Sequence, residues 1–217
     1  MARLRRKDRE VEQRDKDEQS DKDEQSDAIE EAAIEESEPL PVVQLRLNGP
    51  WDSTEKMPDA NESYLDLGPL LIRGQEDLTI QLPADGEDGE IGSVVLVSED
   101  SALELRVFAA TRSGGLWDEV RADLAEEVTR LGGESTVADG PYGSELHIAV
   151  PATSPDGEEG LQPSRIIGIE GPRWLLRATV LGAAALDLTD SGPLMGALRD
   201  VIVVQGAEPR MPREPLL

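Results

Sequence analysis

A glutamate and the one histidine of this chain stand close enough together to do acid–base chemistry. His147 is the single histidine of the sequence and lies two residues after Glu145. In the alternating run 145–150, both side chains belong to the more polar face of a predicted strand. A Glu/His pair can exchange protons with a substrate, but no nucleophile or second base stands beside it. We therefore favour an ordinary half-exposed strand position for His147 and keep catalysis by the pair as the weaker alternative.

A second group of candidate residues surrounds the sequence GIEGPRW at 168–174. Its members are basic or aromatic, and they are Arg165, Arg173, Trp174 and Arg177. An arginine beside a tryptophan can grip a phosphate while the ring stacks on a base. These four residues are therefore the candidate ligand or partner surface.

The same stretch also has a purely structural interpretation as a hairpin. A two-residue turn at Gly171-Pro172 suits type II′ geometry, because glycine accepts the positive φ of the first position and the fixed φ of proline suits the second. That register places Glu170 opposite Arg173 and sends Trp174 into the core. We favour the structural role for Trp174 and leave open whether the arginines pair with carboxylates or contact a ligand.

Other catalytic and metal-binding signatures are missing from the sequence. It contains no G-x-S-x-G elbow, no G-x-x-x-x-G-K-[ST] phosphate loop and no G-x-G-x-x-G between a strand and a helix. The acidic run DGEDGE at 85–90 lacks the spacing of a calcium loop, and the chain has no cysteine. We therefore predict no cofactor, no metal site and no enzymatic activity.

Composition limits the classes of partner. The formal charge of −25 argues against general affinity for nucleic acid or for an anionic membrane surface, although a local basic patch is compatible with it. No window reaches the roughly 18 consecutive apolar residues of a membrane-spanning helix. The absence of cysteine fits a reducing compartment, and no apolar signal segment follows the basic start. We predict a cytoplasmic protein with no membrane span, whose partner is an unknown protein or small ligand.

Residues 1–40 differ in composition from the rest of the chain. They hold 8 basic and 15 acidic residues and contain the hexapeptide DKDEQS twice, at 15–20 and 21–26. Such a repeat has no apolar face to bury and cannot offset the entropy of ordering. We predict a disordered acidic tail over 1–40, a single α+β domain over 41–206 and a loose C-terminal tail over 207–217.

Within 41–206 the sequence pattern predicts a largely antiparallel sheet. Strands are expected at 42–47, within 64–72, at 78–82 and at 201–205, and hairpins at 94–97/103–110, 135–138/145–150 and 165–169/174–181. A long amphipathic helix is expected at 116–131, since the apolar residues from Trp117 to Leu131 recur every three or four positions and Gly132-Gly133 ends the pattern. A short C-terminal helix is expected to begin at Pro193. Runs of strands with few helices indicate an α+β fold.

Five stretches together resemble an uncharacterised actinobacterial family, domain of unknown function 3710. They are G-P-W-D-x-x-E (49–55), L-D-L-G (65–68), V-F-A-A-x-R-x-G-G-L-W-D-E-V-R (107–121), G-P-Y-G-x-E-L (140–146) and G-I-E-G-P-R-W-L-L-R (168–177). The resemblance spans 49–206 and implies no established activity, ligand or catalytic residue. Members of that family are often encoded near a deoxyuridine triphosphatase and an OB-fold protein, and the resemblance therefore implies a link to nucleic-acid metabolism.

These observations favour a non-enzymatic cytoplasmic binding or interaction protein. The first alternative is an accessory protein of nucleic-acid or nucleotide metabolism that uses the Arg/Trp surface. An enzyme of unrecognised type, using Glu145 and His147, is the second alternative. The first alternative requires that the four Arg/Trp side chains converge on one exposed surface.

Overall fold

The computed structural model describes residues 48–85, 90–153, 157–187, 189, 192–206 and 208–217, all within the unit that spans Pro41–Leu217. The strands are β1 (Trp51–Asp52), β2 (Tyr64–Asp66), β3 (Leu70–Arg73), β4 (Thr79–Gln81), β5 (Ala84–Asp85), β6 (Glu90–Ile91), β7 (Val94–Val97), β8 (Ser101–Ala109), β9 (Glu134–Gly140), β10 (Gly143–Thr153), β11 (Glu159–Gly171), β12 (Trp174–Gly182) and β13 (Ile202–Val203). The helices are α1 (Leu116–Arg130) and α2 (Pro193–Asp200), with a 3₁₀ turn at Ala183–Ala185. The α+β prediction, with one long and one short helix, is confirmed.

Seven strands form one antiparallel sheet in the order β4-β7-β8-β12-β11-β10-β9. All three predicted hairpins are confirmed as the pairs β7/β8, β9/β10 and β11/β12. Strand β8, and β12 from Leu176 to Leu181, alternate between buried and half-buried positions, because successive side chains point to opposite faces. The sheet therefore has two different faces, each covered by other elements.

Helix α1 covers one of these faces and packs on β9, β10 and β11. It begins after Gly114 and Gly115, which have φ values of 70° and 86°, and Gly132 lies just beyond its end with a φ of 77°. Leu116, Trp117 and Val128 are its buried residues. The predicted amphipathic helix is therefore confirmed, with its end one residue earlier than expected.

The opposite face carries the larger core. It packs against α2 and a four-stranded sheet of order β1-β13-β3-β2, in which β1 and β13 run parallel. The predicted apolar segment at 64–72 divides into β2 and β3, because Gly68 turns the chain between them with a φ of 81°. Leu70, Leu105, Leu176 and Leu198 from four different elements are all fully buried in this cluster.

The predicted register of the β11/β12 hairpin is wrong by two residues. Gly171 pairs with Trp174 and Glu170 pairs with Leu175, so the turn consists of Pro172 and Arg173. Arg173 takes the positive φ, at 64°, where a type II turn usually has glycine. A shift of two residues preserves the side-chain face, and Trp174 still points into the core.

The C-terminal segment differs from the expected loose tail. Strand β7 pairs only with residues 102–105 of β8, which leaves the backbone of 107–109 without a partner on that edge. The segment fills this edge: Ala109 N–H donates to Glu214 O, and Leu216 N–H donates to Val107 O.

Three predicted features lie outside the described residues. They are the tail at 1–40, the strand at 42–47 and residues 86–89 of the acidic run.

Candidate functional site

The predicted Glu145/His147 pair joins Arg165 in a cluster on the larger-core face of the sheet. Register places His147 directly opposite Arg165 on β10 and β11. Arg165 Nε donates to Glu145 Oε1 at 2.8 Å, and His147 Nε2 lies 2.9 Å from the same oxygen. The side chains of Arg165 and Glu145 are 2% and 3% exposed, whereas that of His147 is 29% exposed.

Glu145 is therefore buried, in contrast to its predicted place on the more polar face of a strand. That face turns toward the core, and Gly140 makes room for the carboxylate, since a Cβ on Gly140 would lie 2.5 Å from Oε2. Oε2 has no hydrogen-bond partner among the described residues. The main interaction of the cluster is a buried ion pair that fixes β10 to β11, and only its histidine reaches solvent.

Trp174 is a core anchor and does not contribute to a surface. Its side chain is fully buried, and its indole Nε1 donates to Asp52 Oδ2 at 2.7 Å. Gly171 lies against the ring, since a Cβ there would come within 2.1 Å of it. A buried tryptophan with a satisfied N–H has no free face for a ligand.

The predicted pair between Arg173 and Glu170 does not form. Glu170 instead accepts hydrogen bonds from the backbone N–H groups of Gly115 and Trp117, at 3.1 and 3.2 Å. A carboxylate at a helix N-terminus satisfies donors that have no partner within the helix. The backbone carbonyl of Arg173 accepts from Ala110 N–H, and its side chain lines a cavity of about 170 Å³ near the C-terminal segment.

Arg177 lies on the α1 face of the sheet, away from the other three candidates. The four side chains therefore do not converge on one exposed surface, as the first alternative requires. Arg165 is buried in the larger core, Arg173 stands at the hairpin turn and Trp174 is enclosed. The Arg/Trp surface of the first alternative does not exist in this fold.

The surroundings of Arg177 are unusual for a cation. Its guanidinium lies over the ring of Phe108, with Cζ 5.5 Å from the ring centroid. Its Nε is buried, and the side chain has no hydrogen bond or carboxylate at ion-pair distance among the described residues. Burial lowers the pKa of Arg177, Glu104 raises it and Arg106, directly opposite on β8, lowers it. Glu104 is already engaged, because it accepts from Arg106 Nε at 3.0 Å.

Arg177 borders a groove of about 400 Å³ between α1 and the sheet, which we call the α1 groove. Its apolar lining is Phe108, Leu116, Val120, Leu124 and Leu175. Its other charged residues are Asp123, Glu127 and Arg213. Arg213 Nη1 donates to Asp123 at 2.7 Å, and Arg130 donates to both oxygens of Glu127. Both rim carboxylates therefore have arginine partners within the chain, and Arg177 does not have a carboxylate partner.

Arg177 was among the residues predicted from the sequence, but the groove around it was not. The signal that could have found the groove is the row formed by Leu116, Val120 and Leu124, of which Val120 and Leu124 were predicted on the apolar face of the helix and Leu116 was not. Only Leu116 of these three is fully covered, and Val120 and Leu124 are half-buried. Phe108 gave no signal of its own, because its position depends on the pairing of β8 with β12.

Comparison with known proteins places the chain in a family. The family model described as Protein of unknown function (DUF3710) matches residues 49–217. The chain belongs to the DUF3710 family. No curated protein matches it.

One solved structure similar to this DUF3710 protein comes from Bacteroides thetaiotaomicron and was determined at 1.50 Å resolution. The two share 10% sequence identity with a TM-score of 0.39, and the match covers 64% of this chain and 47% of the other. The chain thus spans about half the length of that protein.

The stretches that carry the family resemblance contact one another across the sheet of this DUF3710 protein. Asp52 of the first stretch binds the indole of Trp174 in the last. Trp117 lies on Gly168, where a Cβ would come within 2.0 Å of the ring. These contacts connect the first, third and last stretches within the fold. Arg177 of the last stretch contacts Phe108 of the third, but it has no hydrogen bond to a described residue.

No described helix is long and apolar enough to cross a membrane. In the described part of the chain, no three side chains among His, Asp and Glu are grouped so that they could hold a metal ion.

Proposed function

We propose that this protein is a non-enzymatic binding protein of the cytoplasm and that the α1 groove is the site where its partner or ligand binds. A groove with an apolar lining and a few polar groups is the usual form of a binding site. The cysteine-free composition is compatible with a reducing cytoplasm.

The single observation that supports this proposal most is the state of Arg177. A buried guanidinium N–H without an acceptor costs free energy, which a fold normally avoids by supplying a carboxylate or a carbonyl. The chain has many carboxylates, and none of those described lies within ion-pair distance of Arg177. A ligand anion would supply the missing partner.

The non-enzymatic part of the proposal rests on the composition of the Glu145 cluster. His147 is the only residue of this cluster that reaches solvent. Its carboxylate partner, Glu145, is buried and already bound to Arg165, so Glu145 is not free to act on a substrate. A panel of chromogenic ester, phosphate and glycoside substrates tests this, with His147→Ala as the comparison. Turnover by the natural chain that His147→Ala abolishes would overturn it.

The absence of cysteine makes the groove directly testable, because one introduced cysteine is a unique labelling site. Glu127→Cys carries an environment-sensitive fluorophore at the groove rim, and Glu126→Cys carries it on the adjacent exposed position that does not line the groove. Both variants lose one negative charge. Peptides enriched from a random display library on the full chain are then added to each labelled protein.

We expect the selected peptides to change the fluorescence of the label at position 127 and not at position 126. Peptides that bind without changing the label at 127 would place the binding site elsewhere and overturn the assignment of the α1 groove.

A further inference from the structure

We infer that the ligand of the α1 groove is a short acidic peptide segment of a partner protein, whose carboxylate binds Arg177 while its neighbouring apolar side chains cover the stripe on α1. This inference rests on the proposed function, and it adds the chemistry of the ligand.

An anion can reach only part of the Arg177 guanidinium. Nε of Arg177 is enclosed, but the side chain as a whole is only half-buried, so its terminal nitrogens are the part that meets solvent. Terminal guanidinium nitrogens bind a carboxylate through charge-assisted hydrogen bonds. The ring of Phe108 holds the guanidinium in place, so little side-chain freedom is lost on binding.

The charge of the anion follows from the ion pairs at the rim. Asp123 is bound by Arg213, which also binds Glu119, and Glu127 is bound by Arg130. Arg177 is therefore the one positive charge among the described groove residues that has no carboxylate at ion-pair distance. A carboxylate matches this single charge, whereas a phosphate dianion would bring a second negative charge next to the two rim carboxylates.

The lining of the groove sets the shape of the ligand. Val120 and Leu124, its two half-buried apolar residues on α1, lie four positions apart and form a short ridge. Four residues of helix rise about 6 Å, at about 1.5 Å per residue. An extended peptide advances about 3.3 Å per residue, so the ridge matches roughly two peptide residues. A short peptide with a carboxylate beside two apolar residues therefore brings the groups that the groove lining requires.

The experiment uses the full natural chain, with Glu127 and its arginine intact, and an acetylated, amidated peptide of sequence Leu-Glu-Leu-Leu. Matched probes replace the glutamate by glutamine or by phosphoserine, and hexanoate supplies a carboxylate without a peptide. Binding of each probe is measured by isothermal titration calorimetry with Arg177 intact and with Arg177→Gln. Far-UV circular dichroism checks that Arg177→Gln retains the fold, and Arg177→Lys provides a second variant that keeps the charge.

We expect the glutamate peptide to bind the Arg177 protein roughly tenfold to a hundredfold more tightly than the glutamine peptide, the range of a hydrogen bond to a charged group. In Arg177→Gln the two peptides should bind equally weakly, and Arg177→Lys should restore part of the difference. Hexanoate and the phosphoserine peptide should both bind more weakly than the glutamate peptide.

Three results would overturn the inference in distinguishable ways. Equal binding of the glutamate and glutamine peptides would remove the carboxylate while leaving the α1 groove as a binding site. Tighter binding of phosphoserine or of hexanoate would replace the acidic peptide by another anion. Binding of none of the probes would overturn the ligand class, and display-selected peptides that bind without changing the label at 127 would overturn the proposed function as well.

Discussion

Replacing Arg177 by methionine should make the unliganded protein more stable, although it removes a charged residue from a partly buried position. The enclosed Nε has no acceptor among the described residues, which costs about 1–3 kcal/mol of folding free energy. The contact with Phe108, at 5.5 Å from the ring centroid, offsets about 0.5–1 kcal/mol of that cost. Attraction to Glu104 and repulsion from Arg106 act in opposite directions on the same charge.

Methionine preserves the packing that the arginine stem provides. Its unbranched side chain can lie on the Phe108 ring with a favourable sulfur–aromatic contact, and it buries no N–H. We therefore expect Arg177→Met to raise the free energy of unfolding by about 1 kcal/mol. For a domain of this size, that corresponds to a rise in Tm of about 2–4 °C.

The assay is equilibrium unfolding in urea, followed by the fluorescence of the buried tryptophans Trp117 and Trp174. An unchanged slope with a higher midpoint would identify a true stability change. Arg73→Met is the control at an arginine that has a partner and does not contact Arg177: Arg73 Nη1 lies 3.1 Å from Asp200 Oδ2, so its loss should leave the free energy of unfolding unchanged or lower it.

A decrease of 1 kcal/mol or more in Arg177→Met would refute the reasoning, because it would mean that the fold itself uses the charge. If the variant is more stable and also loses binding of the acidic peptide, stability and binding are opposed at this position. Such opposition is common at binding sites.

Three further predictions concern the fold. Gly168→Ala should destabilise the protein by roughly 1–3 kcal/mol in urea unfolding, because the new Cβ would lie 2.0 Å from the ring of Trp117. The control is Gly160→Ala on the same strand, where the new Cβ would face open space. That variant should be as stable as the natural chain or slightly more stable. Glu145→Ala should cost about 3–5 kcal/mol, since it removes the carboxylate that the buried Arg165 contacts, and Glu145→Gln should cost less in the same assay. Deletion of 211–217 should lower the Tm by several degrees in a thermal melt, because it removes the backbone bonds to β8; an unchanged Tm would mean that these bonds contribute nothing.

Local patterns were sufficient for most elements of the fold. The helix at Leu116–Arg130 follows from its apolar spacing and flanking glycines, and α2 begins at the predicted Pro193. The three hairpins follow from alternation and turn residues. Each of these signals depends on residues only a few positions apart, which is why one sequence is enough to read them.

The candidate site depended on contacts that no local pattern contains. The amino-acid sequence by itself determined the elements, the α+β class and Arg177 as a residue worth attention. Only the tertiary structure decided that Glu145 turns inward to Arg165, that Glu170 binds the start of α1 and not Arg173, and that the C-terminal segment completes the edge of β8. The physical reason is that burial and charge pairing depend on which strands become neighbours, and strand pairing joins residues far apart in the chain. In this fold that pairing supplies partners for Arg165 and Glu170 and leaves Arg177 facing the α1 groove.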